Sequence, residues 1–116
     1  HSVYSDGTDT PESLLQNVRA AGLDLFALTD HDTAEGCAAV RALLRPGDPA
    51  FIGGVEFSCR DGRGKYHVLG YGCDADRPAM RETVAYAHHS RIRKMQDGFA
   101  ALCGHDVKKR VCENQE

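Results

Sequence analysis

An α/β fold with a mostly parallel sheet is what this 116-residue sequence predicts. Three observations carry that expectation. Helical and strand patterns alternate along the chain. The strand-like runs are short and continuously apolar, as in strands covered on both faces. Polar residues with ligating side chains stand where those runs stop, the place where parallel α/β folds collect their chemistry.

The first helix is punctuated at both ends. Thr10 is its N-cap, Pro11 takes the first helical position, and Glu12 complements the helix dipole. Leu14, Leu15, Val18 and Ala21 repeat at helical spacing, and Gly22 closes the helix as a left-handed cap. Leu23 to Thr29 is a buried-strand run that stops at Asp30-His31-Asp32. Asp32 or Thr33 caps a second helix over roughly residues 34–45, with Ala38, Ala39, Ala42 and Leu43 as its apolar positions. Pro46-Gly47-Asp48-Pro49 breaks it. A second strand covers Ala50 to Phe57, Asp61-Gly62-Arg63-Gly64 is a turn, and Lys65 to Tyr71 is a third strand. The last two are either a hairpin or two neighbouring strands. From Pro78 to about Cys103 the pattern is helical, with Met80, Val84, Ala87, Ile92, Met95, Phe99 and Leu102 as the apolar positions. Gly104 is its expected C-cap, and the polar tail from Asp106 to Glu116 is expected to fray.

Composition narrows the class. With 41% hydrophobic and 27% charged residues, the chain is neither disordered, collagen-like nor a coiled coil. No apolar run approaches the roughly 18 residues of a membrane span. The chain opens on His1 with no initiator Met, signal peptide or tag, and is expected to begin inside a longer one. Five cysteines (Cys37, Cys59, Cys73, Cys103 and Cys112) form no CxxC pair. They read as small buried apolar residues in a reducing cytoplasm, not as a disulfide framework or a thiolate zinc site. Charge is uneven. Residues 1–58 hold 9 acids and 3 bases, net −6, and residues 59–116 hold 8 acids and 11 bases, net +3. The acids crowd around histidines as cation ligands would, and the bases could meet an anion. Solvated surfaces segregate charge in the same way.

Three strand ends carry His, Asp or Glu: the loop from His1 to Asp6, the stop at Asp30-His31-Asp32, and Glu56. His67 follows in the next apolar segment. Imidazole nitrogens and carboxylate oxygens ligate zinc, manganese and iron. Taken singly, each has a plain structural role, and Asp32 also fits an N-cap. Taken together, they make a metal site a competing expectation.

The same clusters resemble a family. His1-Ser2-x-x-Ser5-Asp6-Gly7-x-x-Thr10-Pro11-Glu12, then Ala27-Leu28-Thr29-Asp30-His31-Asp32-Thr33, then Gly54-Val55-Glu56-Phe57-Ser58, then His67-Val68-Leu69-Gly70-Tyr71 resemble the PHP (polymerase and histidinol phosphatase) family, in its bacterial metal-dependent phosphoesterase branch. Four ordered motifs span about residues 1–72. The resemblance implies the N-terminal part of a distorted (β/α)7, TIM-like barrel over residues 1–76 and the start of a helical insertion over 77–116. It implies two or three divalent ions, manganese, zinc or iron. His1, Asp6, His31, Glu56 and His67 would be their ligands, with Glu56 bridging. Asp30 and Asp32 would flank His31 and orient it. The implied activity is a cytoplasmic phosphoesterase acting through a metal-bridging hydroxide on a small nucleotide, a sugar phosphate or a nucleic-acid 5′ end, with catalysis resting on Asp6, His31 and Glu56. Because imidazole ligands bind metal only when neutral, activity should fall at acid pH.

The basic face of the last helix, Arg91, Arg93 and Lys94, is a candidate for the substrate's other phosphates, or a solvated face. His88-His89 on that helix fits an exposed pair better than ligands. The pattern departs from the family where a His before residue 1 and later ligands after residue 116 are expected. Half a barrel leaves strand edges open, so self-association or strand exchange is expected if the segment folds alone. Two other readings stay open: a non-catalytic metal-binding or regulatory module, and an amidohydrolase-like C–N hydrolase.

Overall fold

The computed structural model describes residues 1–103, with side chains described through Gly98. Gly104, His105, Cys112 and the polar tail lie outside the described residues. The chain divides into two compact units, His1–Val84 and Ala85–Glu116. Among the described residues it is a mixed α/β fold with three helices and a three-stranded sheet, in the order α1 (Pro11–Ala21), β1 (Leu25–His31), α2 (Glu35–Leu43), β2 (Ala50–Asp61), β3 (Gly64–Tyr71) and α3 (Pro78–Cys103).

Helix α1 forms where its punctuation places it. The Thr10 side chain accepts from the Ser13 N–H, Pro11 opens the first turn, and Gly22 closes the helix at φ 66°. Pro11, Leu15 and Val18 form its buried face. Its last turn is tied to the loop after α2: Arg19 donates to both Asp48 carboxylate oxygens, at 2.7 and 2.8 Å.

β1 and β2 pair in parallel, Leu25 with Ala50 through His31 with Glu56. β2 and β3 pair antiparallel, Gly54 with Tyr71 through Asp61 with Gly64, as a hairpin. The sheet is therefore half antiparallel, where a mostly parallel one was expected. The Asp61–Gly64 turn is too short for the crossover that a parallel connection needs.

Two further expectations need correction. Burial along β1 alternates, with Phe26, Leu28 and Asp30 buried and Leu25 54% exposed, so helices cover only one face of the sheet. The buried face of α2 is Gly36, Cys37 and Val40; of the expected positions Leu43 packs half-buried against the core and Ala39 is half-buried, while Ala38 and Ala42 are exposed. Small residues at 36 and 37 let the helix approach the strands closely. The Cys37 thiol donates to the carbonyls of Leu28 and Gly54 at 3.4 Å each, and burial pushes its pKa up. The core joins Leu15 and Val18 to Phe26, Leu28, Cys37 and Val40. Of the other cysteines, Cys59 is exposed on the hairpin, where no helix covers it, and Cys73 is half-buried.

Along α3, Met80, Val84, Ala87 and Ile92 are half-buried, while Met95 and Tyr86 are exposed. Among the described residues no helix is long and apolar enough to cross a membrane.

Candidate metal centre

Every residue of this centre comes from the first unit. The parallel pairing of β1 and β2 sets His31 directly against Glu56 at the last rung of the ladder. β3 brings His67 diagonally across from Glu56, and the N-terminal loop brings His1 and Asp6.

The Glu56 Oε2 atom is the focus. It lies 2.7 Å from His31 Nδ1, 3.7 Å from His1 Nε2 and 3.7 Å from His67 Nδ1. Asp6 spans the other ends of two of these rings, with one oxygen 3.7 Å from His1 Nδ1 and the other 3.3 Å from His31 Nε2. The His1 and His31 rings stack 4.2 Å apart, within 9° of parallel. Five side chains thus share one neighbourhood.

The donor set fits a divalent cation. His1, His31 and Glu56 each offer one ligand atom within 4.8 Å of the others. His31 Nδ1 is buried and, among the described residues, has no hydrogen-bond partner, although Glu56 Oε2 is only 2.7 Å away. The contact lacks hydrogen-bond geometry. A neutral imidazole nitrogen and a carboxylate oxygen held this close need a proton or a metal cation between them, and ligand atoms around one small ion stand roughly 3 Å apart for bonds of about 2.1 Å. Mixed nitrogen and oxygen donors suit zinc, manganese or iron.

A second set of bonds holds the loop in place. Asp30 is 1% exposed and faces away from His31, toward the helices. Its carboxylate accepts from the Ser2 N–H, from Ser2 Oγ at 2.7 Å and from Ser5 Oγ at 2.9 Å. Ser2 is fully buried. Those bonds fix positions 2 and 5, and so aim His1 and Asp6 at the cluster. Gly36 makes room for them: a Cβ there would run into the Asp30 carboxylate and Ser2 Oγ. Ser2 and Ser5 went unassigned in the sequence. A buried carboxylate must find donors, but only the fold shows that they come from 28 and 25 residues away.

Asp32 does not cap α2. The cap position is Ala34, with no side-chain hydrogen bond, while the Thr33 hydroxyl accepts from the Glu35 N–H. Asp32 instead turns the chain at φ 55°, a left-handed conformation that Asp tolerates. Its N–H donates to the Glu56 carbonyl at 3.1 Å, and its carboxylate accepts from the Ser58 N–H at 2.9 Å. The backbone on both sides of Glu56 is thereby pinned to the end of β1.

Arg91, Arg93 and Lys94 are exposed residues of α3 in the second unit, as are His88 and His89.

A cluster of His, Asp and Glu at the end of β1 and on the neighbouring strands of an α/β scaffold is the donor set that metal-dependent hydrolases use. Comparison with known proteins gives the family. The PHP domain model matches residues 1–112, and the chain belongs to that family. It is 36% identical over 124 aligned positions to a 3′,5′-nucleoside bisphosphate phosphatase of Chromobacterium violaceum, covering 100% of this chain and 43% of the relative. It is 34% identical over 113 positions to a phosphoribosyl 1,2-cyclic phosphate 1,2-diphosphodiesterase of Eggerthella lenta, covering 95% and 36%. Among solved structures, a Chromobacterium violaceum protein described as an amidohydrolase, with bound sulfate and no metal, matches with a TM-score of 0.76 at 36% identity, over 89% of this chain and 37% of that one. A Bifidobacterium adolescentis protein provisionally named a metal-dependent phosphoesterase matches with a TM-score of 0.76 at 28% identity, over 83% and 34%. The chain therefore spans less than half the length of the curated relatives it matches.

Proposed function

We propose that this chain is the metal-binding, N-terminal part of a phosphoesterase whose substrate is a small phosphorylated molecule or a nucleic-acid 5′ end. The observation that carries the reading is the convergence of three imidazoles on Glu56, with Asp6 spanning the far ends of the His1 and His31 rings and the orphaned nitrogen of His31 facing Glu56. His1, Asp6, His31, Glu56 and His67 would hold the divalent ions, with Glu56 as the carboxylate they would share, and Asp6, His31 and Glu56 are the residues on which catalysis would depend most.

A bound divalent cation there would activate water and neutralise charge on the phosphate oxygens. The chain's own residues supply the rest. Asp6 and Glu56 offset the cation's charge. Asp30, through Ser2 and Ser5, keeps His1 and Asp6 from swinging away, and Asp32 holds the Glu56 backbone. The names of the relatives, a bisphosphate phosphatase and a cyclic phosphate diphosphodiesterase, support phosphoester chemistry.

The wider architecture belongs to the same proposal. Leu25, Ile52, Leu69 and Tyr71 are all exposed on the sheet face that carries the cluster. Further strands closing the sheet into the distorted seven-unit barrel would bury that stripe, and self-association would do so for the isolated segment. The solved relative described as an amidohydrolase favours a second reading, hydrolysis of a C–N bond at the same centre.

Manganese or zinc titrated into the purified chain, followed by calorimetry, tests the metal reading. We expect binding that His31→Ala abolishes with little change in melting temperature. Inorganic phosphate release from adenosine 3′,5′-bisphosphate by the full-length protein tests the chemistry. Full turnover with metal still bound in His31→Ala would falsify the ligand assignment. Turnover of amides but not of phosphoesters would move the protein to the second reading.

A further inference from the structure

β1 ends at His31, opposite Glu56, but the β2–β3 ladder runs on to Asp61 opposite Gly64. Beyond the metal centre, therefore, the hairpin projects as a two-stranded arm. Side chains alternate between faces along a strand, and directly paired residues share a face. The 3.7 Å contact of His67 with Glu56 fixes which face is which. On that face Ser58 lies opposite His67, and Arg60 opposite Lys65. Arg60 is four residues from Glu56, about 13 Å along the strand.

What sets these two cations apart within the first unit is that they share one rung on the face that carries the centre, while three of the other cations are already engaged. Arg19 is held by Asp48, Arg81 pairs with Asp76, and Arg41 lies over the Phe51 ring. Among the described residues neither Arg60 nor Lys65 makes an ion pair, and both are exposed. The nearest acid in sequence, Asp61, is turned into the hairpin bend, where its carboxylate accepts from the Arg63 and Gly64 N–H groups. One face of the arm thus runs from the carboxylates and imidazoles of the centre to a free guanidinium beside a free ammonium.

We propose that Arg60 and Lys65 dock a second, unreacting phosphate of the substrate. The centre then selects phosphoesters that carry a further phosphate about one nucleotide away over esters with a single phosphate. The guanidinium offers a planar fork for phosphate oxygens and the ammonium a compact charge. This assignment rests on the phosphoesterase reading and deepens it.

The test compares two substrates in the full-length protein with manganese: adenosine 3′,5′-bisphosphate and p-nitrophenyl phosphate. The double variant Arg60→Glu, Lys65→Glu should raise KM for the bisphosphate about ten-fold or more, and change that for p-nitrophenyl phosphate far less. Arg77→Glu, Arg81→Glu makes the same change in net charge away from the arm and should not alter the ratio between substrates. Circular dichroism checks that each variant is folded. Equal losses for both substrates, a matching loss in the control pair, or no loss at all would each overturn the docking role; the cations would then only guard an exposed strand edge. Should the parent protein hydrolyse neither ester, the phosphoesterase reading itself fails. The docking site is then judged by calorimetry with adenosine 3′,5′-bisphosphate, and equal binding by parent and double variant would sink it.

Discussion

On β1 the residues that face the helices, Phe26, Leu28 and Asp30, are buried, whereas Leu25 and Ala27 on the other face are exposed. The helix face is closed by Leu15, Val18, Cys37 and Val40, and it ends in the Asp30 carboxylate with its serine donors. The opposite face is apolar as well, through Leu25, Ile52, Leu69 and Tyr71, yet it is open and ends in His31, Glu56 and His67. The two faces divide the work: one supplies folding energy and locks the loop, and the other presents the ligating atoms. Adjacent residues, Asp30 and His31, belong to different tasks because a strand turns each successive side chain to the opposite face.

Substitutions can break that contrast. The largest effect is expected at the closed face, where Leu28→Ala should cost about 2–5 kcal/mol. Leu69→Ala on the open face should cost less than about 1 kcal/mol. Chemical denaturation of the two variants measures the difference, and equal losses would mean that the open face is covered. Next comes Asp30→Ala, which strands the buried Ser2 N–H and should cost about 1–3 kcal/mol. It should also weaken metal binding about 10- to 100-fold, although Asp30 touches no metal. A variant destabilised but unaltered in metal affinity would reduce Asp30 to a purely structural role.

Smaller still is the acid response of the surface clasp between α1 and the loop before β2. Hydrogen bonds from Arg19 hold the Asp48 carboxyl at a pKa of about 2, below its ordinary 3.8. A depressed carboxyl stabilises the fold above its unfolded pKa, and the contribution fades as pH falls from about 4 through about 2. Asp48→Asn should therefore flatten the stability profile in that window while leaving the metal centre untouched. Melting curves taken across it would show the loss.

Much of this organisation is legible in the chain itself. Thr10, Pro11 and Gly22 mark α1 because capping is local chemistry. His31 stands out because an apolar run stops there and β1 ends with it, whereas Glu56, expected at a strand end, lies inside β2, which runs on to Asp61 along its pairing with β3. What the sequence withholds is set by distant contacts. The direction of β3 depends on a turn whose flanks also fit separate strands. The buried face of α2 is displaced because Gly36 and Cys37 are chosen for close approach rather than for apolar bulk. Asp32 resembles a helix cap in one dimension, and only the pairing of β1 with β2 shows it bound to Ser58. Ser2 and Ser5 are ordinary loop residues until Asp30 is seen beneath them.

The most direct measurement is the anomalous scattering of manganese in crystals of the protein. Convergence of the five side chains on shared ions predicts density peaks at bonding distance from Glu56 and His31, with His1, Asp6 and His67 completing the shell. A manganese peak elsewhere, or none while those five groups keep the positions described, would contradict it.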